Sequence, residues 1–528
     1  MLLAVLPVPA QLKFIIEDFE GVSDQPADMK LNGLFTFGCM EARLDHGKTN
    51  NLPYSGQSAI KIEKKGRESF GGWGKGLNQF VELHYTDDFL NFYVYSTGNS
   101  VISVELQEDD NNDNTYNKEK DDEWMSTVKT SGKNVWELVS LPLRNFRDGN
   151  PGGDGVFNVN YKSGRLLCFI ITFEDAGHLE NGQAWYFDFV GFSKGSLRAG
   201  GALFDAPPAA RGEFCSLGAW SKEGNTADFT DIAGAFEKSV MDGKKLGVVH
   251  FFQPFSVEGG SSQYHYPSVE RINKVIKEGY IPMITLEDHF VNTNPNVKQP
   301  NLYSIVEGHF DSFFGYWAHH IKQVNGTVML RILHEFNGDW YPWCTVKNNN
   351  DPALVAKAYR YIHNIFTENN VTNVRFIWCP NSLSIPQADW NYIMDAYPGD
   401  EYVDLVALDV YNGAGKASLW RSFRKEAIEN YFVLTQKLPH KPLLICEAAS
   451  RERNPGEQGQ DKAEWIRQMS MALKTDLSKI KLLAWFDEKE TFRAASSSGS
   501  KESFIRNIAR DDYFKGGINY MQPVLEKK

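Results

Sequence analysis

Two glutamates carry the chemistry this sequence could do. Glu335 sits in RILHEFNGDWYPW (331–343) and Glu447 in PLLICEA (442–448). Each closes an apolar run of strand type. Two carboxylic acids facing one cleft suit glycosidic bond cleavage: one protonates the departing sugar oxygen and the other attacks the anomeric carbon. Where attack is direct, with retention, the two carboxyls stand roughly 5 Å apart. Charge proximity then holds one of them protonated near neutral pH.

Other residues gather around the pair in the sequence. His334 and Asn337 flank Glu335, and Trp340, Tyr341 and Trp343 follow it. Glu287 and His289 end another apolar run, ITLEDHF; Trp378, Tyr411 and Trp485 lie at the ends of three more. Flat aromatic rings in loops at one cleft form stacking platforms for sugar faces.

The elements that must position these residues follow from the hydrophobic period. From residue 213, buried-type strands alternate with amphipathic helical stretches. The strands are FCSLGAW (214–220), LGVVHFF (246–252), IPMITLE (281–287), VMLRILHE (328–335), VRFIWCP (374–380), VDLVALDVY (403–411), PLLICEA and IKLLAWF (480–486). Eight such strands over this length predict a (β/α)8 barrel, whose active site lies at the C-terminal strand ends. Glu335 and Glu447 then close strands four and seven. The bland alternative for Glu335 is an ion pair with Arg331. Even spacing on a strand puts those two residues on one side, and strand ends in barrels are where function gathers.

Residues 12–195 read differently. Period-two runs such as QSAIKIE, NFYVYS, VISVELQ and AWYFDFVGF are separated by Gly, Asn and Asp, which predicts an all-β jelly-roll sandwich. SLRAGGALFDAPPAARG (196–212) reads as a linker. The expected fold class is therefore multidomain: a sandwich over 12–195, a linker over 196–212 and the α/β barrel over 213–528. EDDNNDNTYNKEKDDE (108–123) reads as a solvated insertion. Tyr93, Tyr95, Trp136 and Tyr161 are candidate platforms on the sandwich, with core packing the stronger reading for any single one.

Composition narrows the function classes. The 528 residues hold 55 Lys and Arg against 67 Asp and Glu, a net charge of −12. An acidic chain without a basic block is a poor nucleic-acid ligand. No apolar run reaches the roughly 18–20 residues of a membrane span. Six Cys form no C-x-x-C pair, so a zinc ribbon is disfavoured and buried thiols are expected. MLLAVLPVPAQ at the start reads as the remnant of a secretory signal, so a secreted, periplasmic or cell-surface protein is expected, acting as a monomer.

The motifs resemble a known family. RILHEFNGDWYPW is similar to the strand-four motif of glycoside hydrolase family 26; YPGDEYVDLVALDVY (397–411) and the LLICEA strand share the likeness, which covers about residues 212–520. The resemblance implies Glu335 as acid/base and Glu447 as nucleophile. It implies that Tyr411 orients the nucleophile, Arg331 positions the carboxylates, and His334 hydrogen-bonds near nucleophile or substrate. Trp340 and Trp485 would be sugar platforms. No metal or organic cofactor is implied for catalysis. The substrate would be a plant-type β-glycan. Mannanases of the family carry a Trp-His pair at the end of strand three, which ITLEDHF lacks. That departure is closer to lichenase relatives, so mixed-linkage β-1,3-1,4-glucan is the expected substrate and β-1,4-mannan the alternative. A decayed, non-catalytic glycan-binding barrel is the remote alternative, and its mark, loss of either Glu, is missing. The N-terminal region resembles family 11 carbohydrate-binding modules through IIEDFEG, SAIKIE, FGGWGKGL and YFDFVGF. By the same resemblance Glu20 and Asp188 would hold a structural calcium.

Overall fold

The period-two runs of the N-terminal region pair into two antiparallel sheets of six strands each. This computed structural model describes residues 10–46, 56–197, 213–221, 230–254, 268–287, 300–413, 419–454 and 459–526. Most of the expected signal remnant and most of the linker lie outside them, although Gln11 at the end of MLLAVLPVPAQ opens the strand Gln11–Glu17. The chain divides into two compact units. One holds Met1–Pro207 with Gly415–Glu429 and Arg453–Asp461; the other holds Pro208–Ala414, Asn430–Glu452 and Lys462–Lys528.

In the first unit the two sheets face each other across an aromatic core. Trp73 is fully buried and packs against Phe19, Phe169 and Phe187. Alternation along Asp88–Ser96 sends Phe92 and Val94 into that core, so Tyr93 and Tyr95 face the other side. One buried charge cluster sits beside the core. Lys75 Nζ is 2.6 Å and Lys425 Nζ 2.9 Å from the Glu17 carboxylate. The two ammonium groups hold Glu17 well below the usual carboxylate range, although burial opposes them.

The second unit is the barrel. Its eight parallel strands are β1 (Cys215–Ser221), β2 (Val248–Pro254), β3 (Ile281–Glu287), β4 (Val328–Arg331), β5 (Val374–Trp378), β6 (Leu405–Asn412), β7 (Leu443–Ser450) and β8 (Ile480–Asp487). They pair in chain order, and β1 pairs with both β8 and β2, which closes the cylinder. Met283, Met329, Ile377, Cys379, Ala407, Cys446 and Ala484 fill its interior. The intervening helices start at identifiable caps: Ser268 accepts from Arg271 N–H, and Asp351 accepts from Ala353 N–H ahead of Pro352. All six cysteines are buried and free.

Strand four is shorter than its sequence suggests. It ends at Arg331, and Leu333 and Glu335 have φ of 50° and 53°. The alternation argument linking Arg331 to Glu335 therefore does not extend past Arg331. The acidic 108–123 segment also departs from expectation. Glu108, Asp109, Asp121 and Asp122 are buried, because backbone N–H groups of the loop turn inward to their carboxylates: Asp109 caps Asp113 and Asn114, and Asp121 caps Asp110 and Asn117.

Candidate active site

Strand alternation aims a layer of polar side chains at the barrel mouth. On β6, Leu405 and Ala407 point into the interior, so Asp409 and Tyr411 continue on that face. On β4, Met329 points inward and Arg331 follows. On β7 the pattern breaks usefully. Leu444 and Cys446 face the interior, and plain alternation would turn Glu447 outward. A register shift between Leu408 and Asp409 pairs Asp409 with Glu447. This bulge turns the glutamate into the mouth.

Arg331 joins the parts. Its side chain is fully buried. Nη1 donates to Asp409 Oδ2 at 2.5 Å, Nη2 donates to Glu447 Oε1, and Nε donates to Thr285 Oγ1 at 2.8 Å. Thr285 Oγ1 is also 2.8 Å from His250 Nε2. Burial and the Arg331 charge hold that imidazole well below its ordinary value, so it is neutral. Tyr411 donates its O–H to Glu447 Oε2. Glu447 is thus held at both oxygens, one by a cation and one by a phenol.

Glu335 is held differently. Its oxygens accept from Trp340 Nε1 at 2.7 Å and Asn381 Nδ2 at 3.2 Å. Burial pushes its carboxyl up to about 7; the Glu447 charge adds to the rise, and Arg331, Trp340 and Asn381 oppose it. The backbone around it is strained and tied down. Glu335 N–H donates to Cys379 O at 2.8 Å, and Gly338 N–H donates to Glu335 O at 2.9 Å. Gly338 also makes room for the platform, since a Cβ there would lie 2.5 Å from the Trp340 ring. Two carboxyls in one mouth, one anchored at both oxygens and the other raised to about 7, can act as nucleophile and acid.

The remaining expected site residues divide into those at the mouth and those that support it. Trp340 is 38% exposed, so its ring has a free face. Tyr341 stacks on Trp343 at 4.6 Å and packs on His334 at 4.5 Å. The Glu335, Glu447 and Glu287 carboxylates push its phenol well up, together with burial. Glu287 ends β3 on the face that Met283 and Thr285 share. Asn337 is buried, accepts from Asn381 N–H at 2.8 Å and donates to Asn381 O at 3.0 Å. It positions Asn381 and has no surface for sugar. His334 and Trp343 are buried too, with Trp343 Nε1 donating to His334 O at 2.7 Å. They brace the loop beneath Tyr341.

Two expected platforms need correction. Trp485 is 1% exposed and packs edge-on against Trp465 and Phe504, with its N–H on Phe492 O. Leu482 and Ala484 face the barrel interior, so Trp485 faces the helices and Phe486 faces in. Phe486 stacks on Trp220 at 4.9 Å and meets Tyr411 edge-on at 5.6 Å. Trp378 has the same problem. Ile377 and Cys379 point inward, and Trp378 is buried against Phe336 and Tyr397. His289 lies outside the described residues. Sequence reasoning placed Asp409 and Asn381 at strand ends without a role, and missed Thr285, His250 and Phe486 as parts of the site. The β6 alternation was a usable signal for Asp409 only.

For a calcium in the sandwich, Glu20 offers Oε2, buried with no hydrogen-bond partner, while its other oxygen accepts from Gln57 and Ser58 N–H. Burial and the Asp18 and Asp188 carboxylates push Glu20 well up. A buried orphan oxygen among carboxylates fits a hard cation.

Residues 288–440, which include Glu335 and Tyr411, match the profile described as Glycosyl hydrolase family 26. Over that stretch the chain is similar to that family. The chain is 32% identical over 265 residues to Endoglucanase H of Acetivibrio thermocellus, covering 49% of this chain and 27% of that protein. It is 30% identical over 153 residues to mannan endo-1,4-beta-mannosidase of Bacillus subtilis (strain 168), covering 26% of this chain and 41% of that one. The chain thus spans well under half the length of these relatives. Among solved structures, the Podospora anserina GH26-CBM35 beta-(1,4)-mannanase aligns at 14% identity with a TM-score of 0.44, covering 94% of this chain and 100% of that chain.

Proposed function

We propose that this chain is a retaining endo-β-glycanase of glycoside hydrolase family 26 and that β-1,4-mannan is its substrate. The observation that carries the reaction is the pair itself. Glu447 is fixed by Arg331 and Tyr411, and Glu335 is buried with its carboxyl raised to about 7. Glu335 gives its proton to the glycosidic oxygen as Glu447 attacks the anomeric carbon, and the leaving sugar departs as an alcohol. Glu335, now a carboxylate, takes a proton from water, and the resulting hydroxide equivalent displaces Glu447. Arg331 fixes the orientation of the nucleophile, and Trp340 presents a ring beside the acid. The two glutamates and one water supply every proton and electron pair in this scheme.

The substrate reading follows the relatives' names. The Bacillus subtilis relative is a mannan endo-1,4-beta-mannosidase, which reverses the order expected from ITLEDHF. Mixed-linkage β-glucan is the second reading. It is favoured by the longer match to Endoglucanase H and by Glu287 where a mannanase-type Trp-His would stand. The sandwich would be a glycan-binding module that raises local substrate concentration, with Tyr95, Trp136 and Tyr186 clustered on its outer side at 5.7–5.8 Å, and with a structural calcium on Glu20 and Asp188. A polymer substrate places the work outside the cytoplasm.

The test is reducing-sugar release from galactomannan, glucomannan and barley mixed-linkage glucan, with Glu335→Ala as blank. Release from both mannans and none from barley glucan supports the reading. Release from barley glucan alone moves the substrate to the second reading. No release from any of the three overturns the hydrolase assignment for these polymers.

A further inference from the structure

The sandwich holds a second acidic cluster, far in sequence from Glu20 and Asp188. Glu108, Asp110 and Asp122 each bring one carboxylate oxygen to within 4.8 Å of the other two. Glu108 and Asp122 are 1% and 0% exposed. The hydrogen bonds account for part of this group. Glu108 accepts from Trp124 Nε1 at 3.0 Å and Asn158 N–H at 2.9 Å; Asp110 Oδ2 accepts from Asp122 N–H at 2.8 Å; Asp122 Oδ1 accepts from Gly155 N–H at 3.3 Å. Three acceptors are left over. Asp122 Oδ2, Asp110 Oδ1 and Asn158 Oδ1 are buried without any donor.

The neighbouring backbone is fitted to the cluster. A Cβ on Gly153 would fall 1.9 Å from Asp122 Oδ1 and 2.7 Å from Asp110 Oδ2. A Cβ on Gly164 would lie 3.0 Å from Glu108 Oε1 and 3.1 Å from Asn158 Oδ1, so glycine is needed where the chain passes both oxygens. Among the described residues no Lys, Arg or His forms an ion pair with Glu108, Asp110 or Asp122. Buried carboxylates without a counter-charge are costly, and three unused hard oxygens call for a donor or a cation.

We infer that Glu108, Asp110, Asp122 and Asn158 form a calcium site that ties the 108–123 segment to the loop at 153–158. Oxygen ligands of this hardness and number, on irregular backbone, suit Ca²⁺ better than the strict octahedron of Mg²⁺. The ion supplies the charge that the protein withholds.

The experiment uses the full chain, stripped with EDTA and titrated with CaCl₂. Thermal unfolding should rise by about 5–10 °C at calcium a hundredfold above its dissociation constant. Asp122→Asn should unfold at the same or a higher temperature than wild type in EDTA, because it relieves repulsion, and should lose one calcium by calorimetric stoichiometry. A merely structural aspartate predicts loss in both conditions. Terbium gives a second readout that needs no charge variant. Tryptophan excitation should sensitise Tb³⁺ emission, calcium should quench it, and Trp124→Phe should abolish it while keeping the calcium-induced rise. Equal calcium binding by wild type and Asp122→Asn overturns the site, as does absence of any calcium effect on wild type. Calcium lost instead from Glu20→Gln alone assigns the ion to the other cluster and also overturns it.

Discussion

Replacing Glu447 by Gln should lower the pKa of Glu335. Glu335 stands at about 7 against an ordinary 4.5, a rise worth about 3 kcal/mol. Burial is the larger cause and the Glu447 charge the next. With the carboxyls roughly 5 Å apart, as retention requires, their repulsion at an effective dielectric near 20 is about 3 kcal/mol. The variant removes that repulsion. It also frees Arg331 from one of its two carboxylate partners, so its pull on Glu335 strengthens. The burial contribution stays, because the amide fills the same space. We expect a fall of about 2 pH units, to about 5. Carbon-13 NMR of carboxyl-labelled glutamate would follow the titration, with Glu335→Gln identifying the signal. A Glu335 that still titrates at about 7, or higher, would refute the claim that the two carboxyls share one electrostatic site. In the wild type the acid must be protonated, so kcat/KM should fall as pH rises through about 7. The same raised value ties stability to pH: the contribution of Glu335 is complete below about 4.5 and lost as pH rises through about 7.

Trp340→Phe removes the N–H that stabilises ionised Glu335; the basic limb of the pH–rate profile should move up by as much as about 1 unit, and an unmoved limb contradicts that hydrogen bond. Tyr411→Phe leaves one oxygen of Glu447 without its donor. Steady-state kinetics should show kcat reduced about 10–100-fold with KM within about twofold, whereas a rise in KM alone would assign Tyr411 to binding. Lys75→Met strips one of two cations from buried Glu17 and should destabilise the sandwich by about 3–5 kcal/mol in urea unfolding. Because Glu17 is held below the ordinary range, the stability it contributes is present above about 4.5 and lost as pH falls through its lowered value.

The sequence alone determined the two architectures and the two glutamates. Hydrophobic period separates a region of alternating strands from one of buried strands and helices, and that period is a local property of the chain. All eight barrel strands lie where their apolar runs lie, within a few residues at each end. Which way a side chain points past a strand's regular part was decided only by tertiary structure. Glu447 faces the mouth because of a bulge paired to β6, and Glu335 because the chain leaves β4 through two residues of positive φ. Neither feature leaves a mark that single-residue types reveal. The same one-residue rule put Phe486 at the mouth and Trp485 among the helices. Arg331 was legible as a neighbour of Glu335, but its grip on Asp409 and Glu447 spans 78 and 116 residues of chain. Such contacts exist only once the barrel closes. The acidic 108–123 segment shows the limit of composition: a run that reads as solvated folds inward when its own backbone supplies the donors.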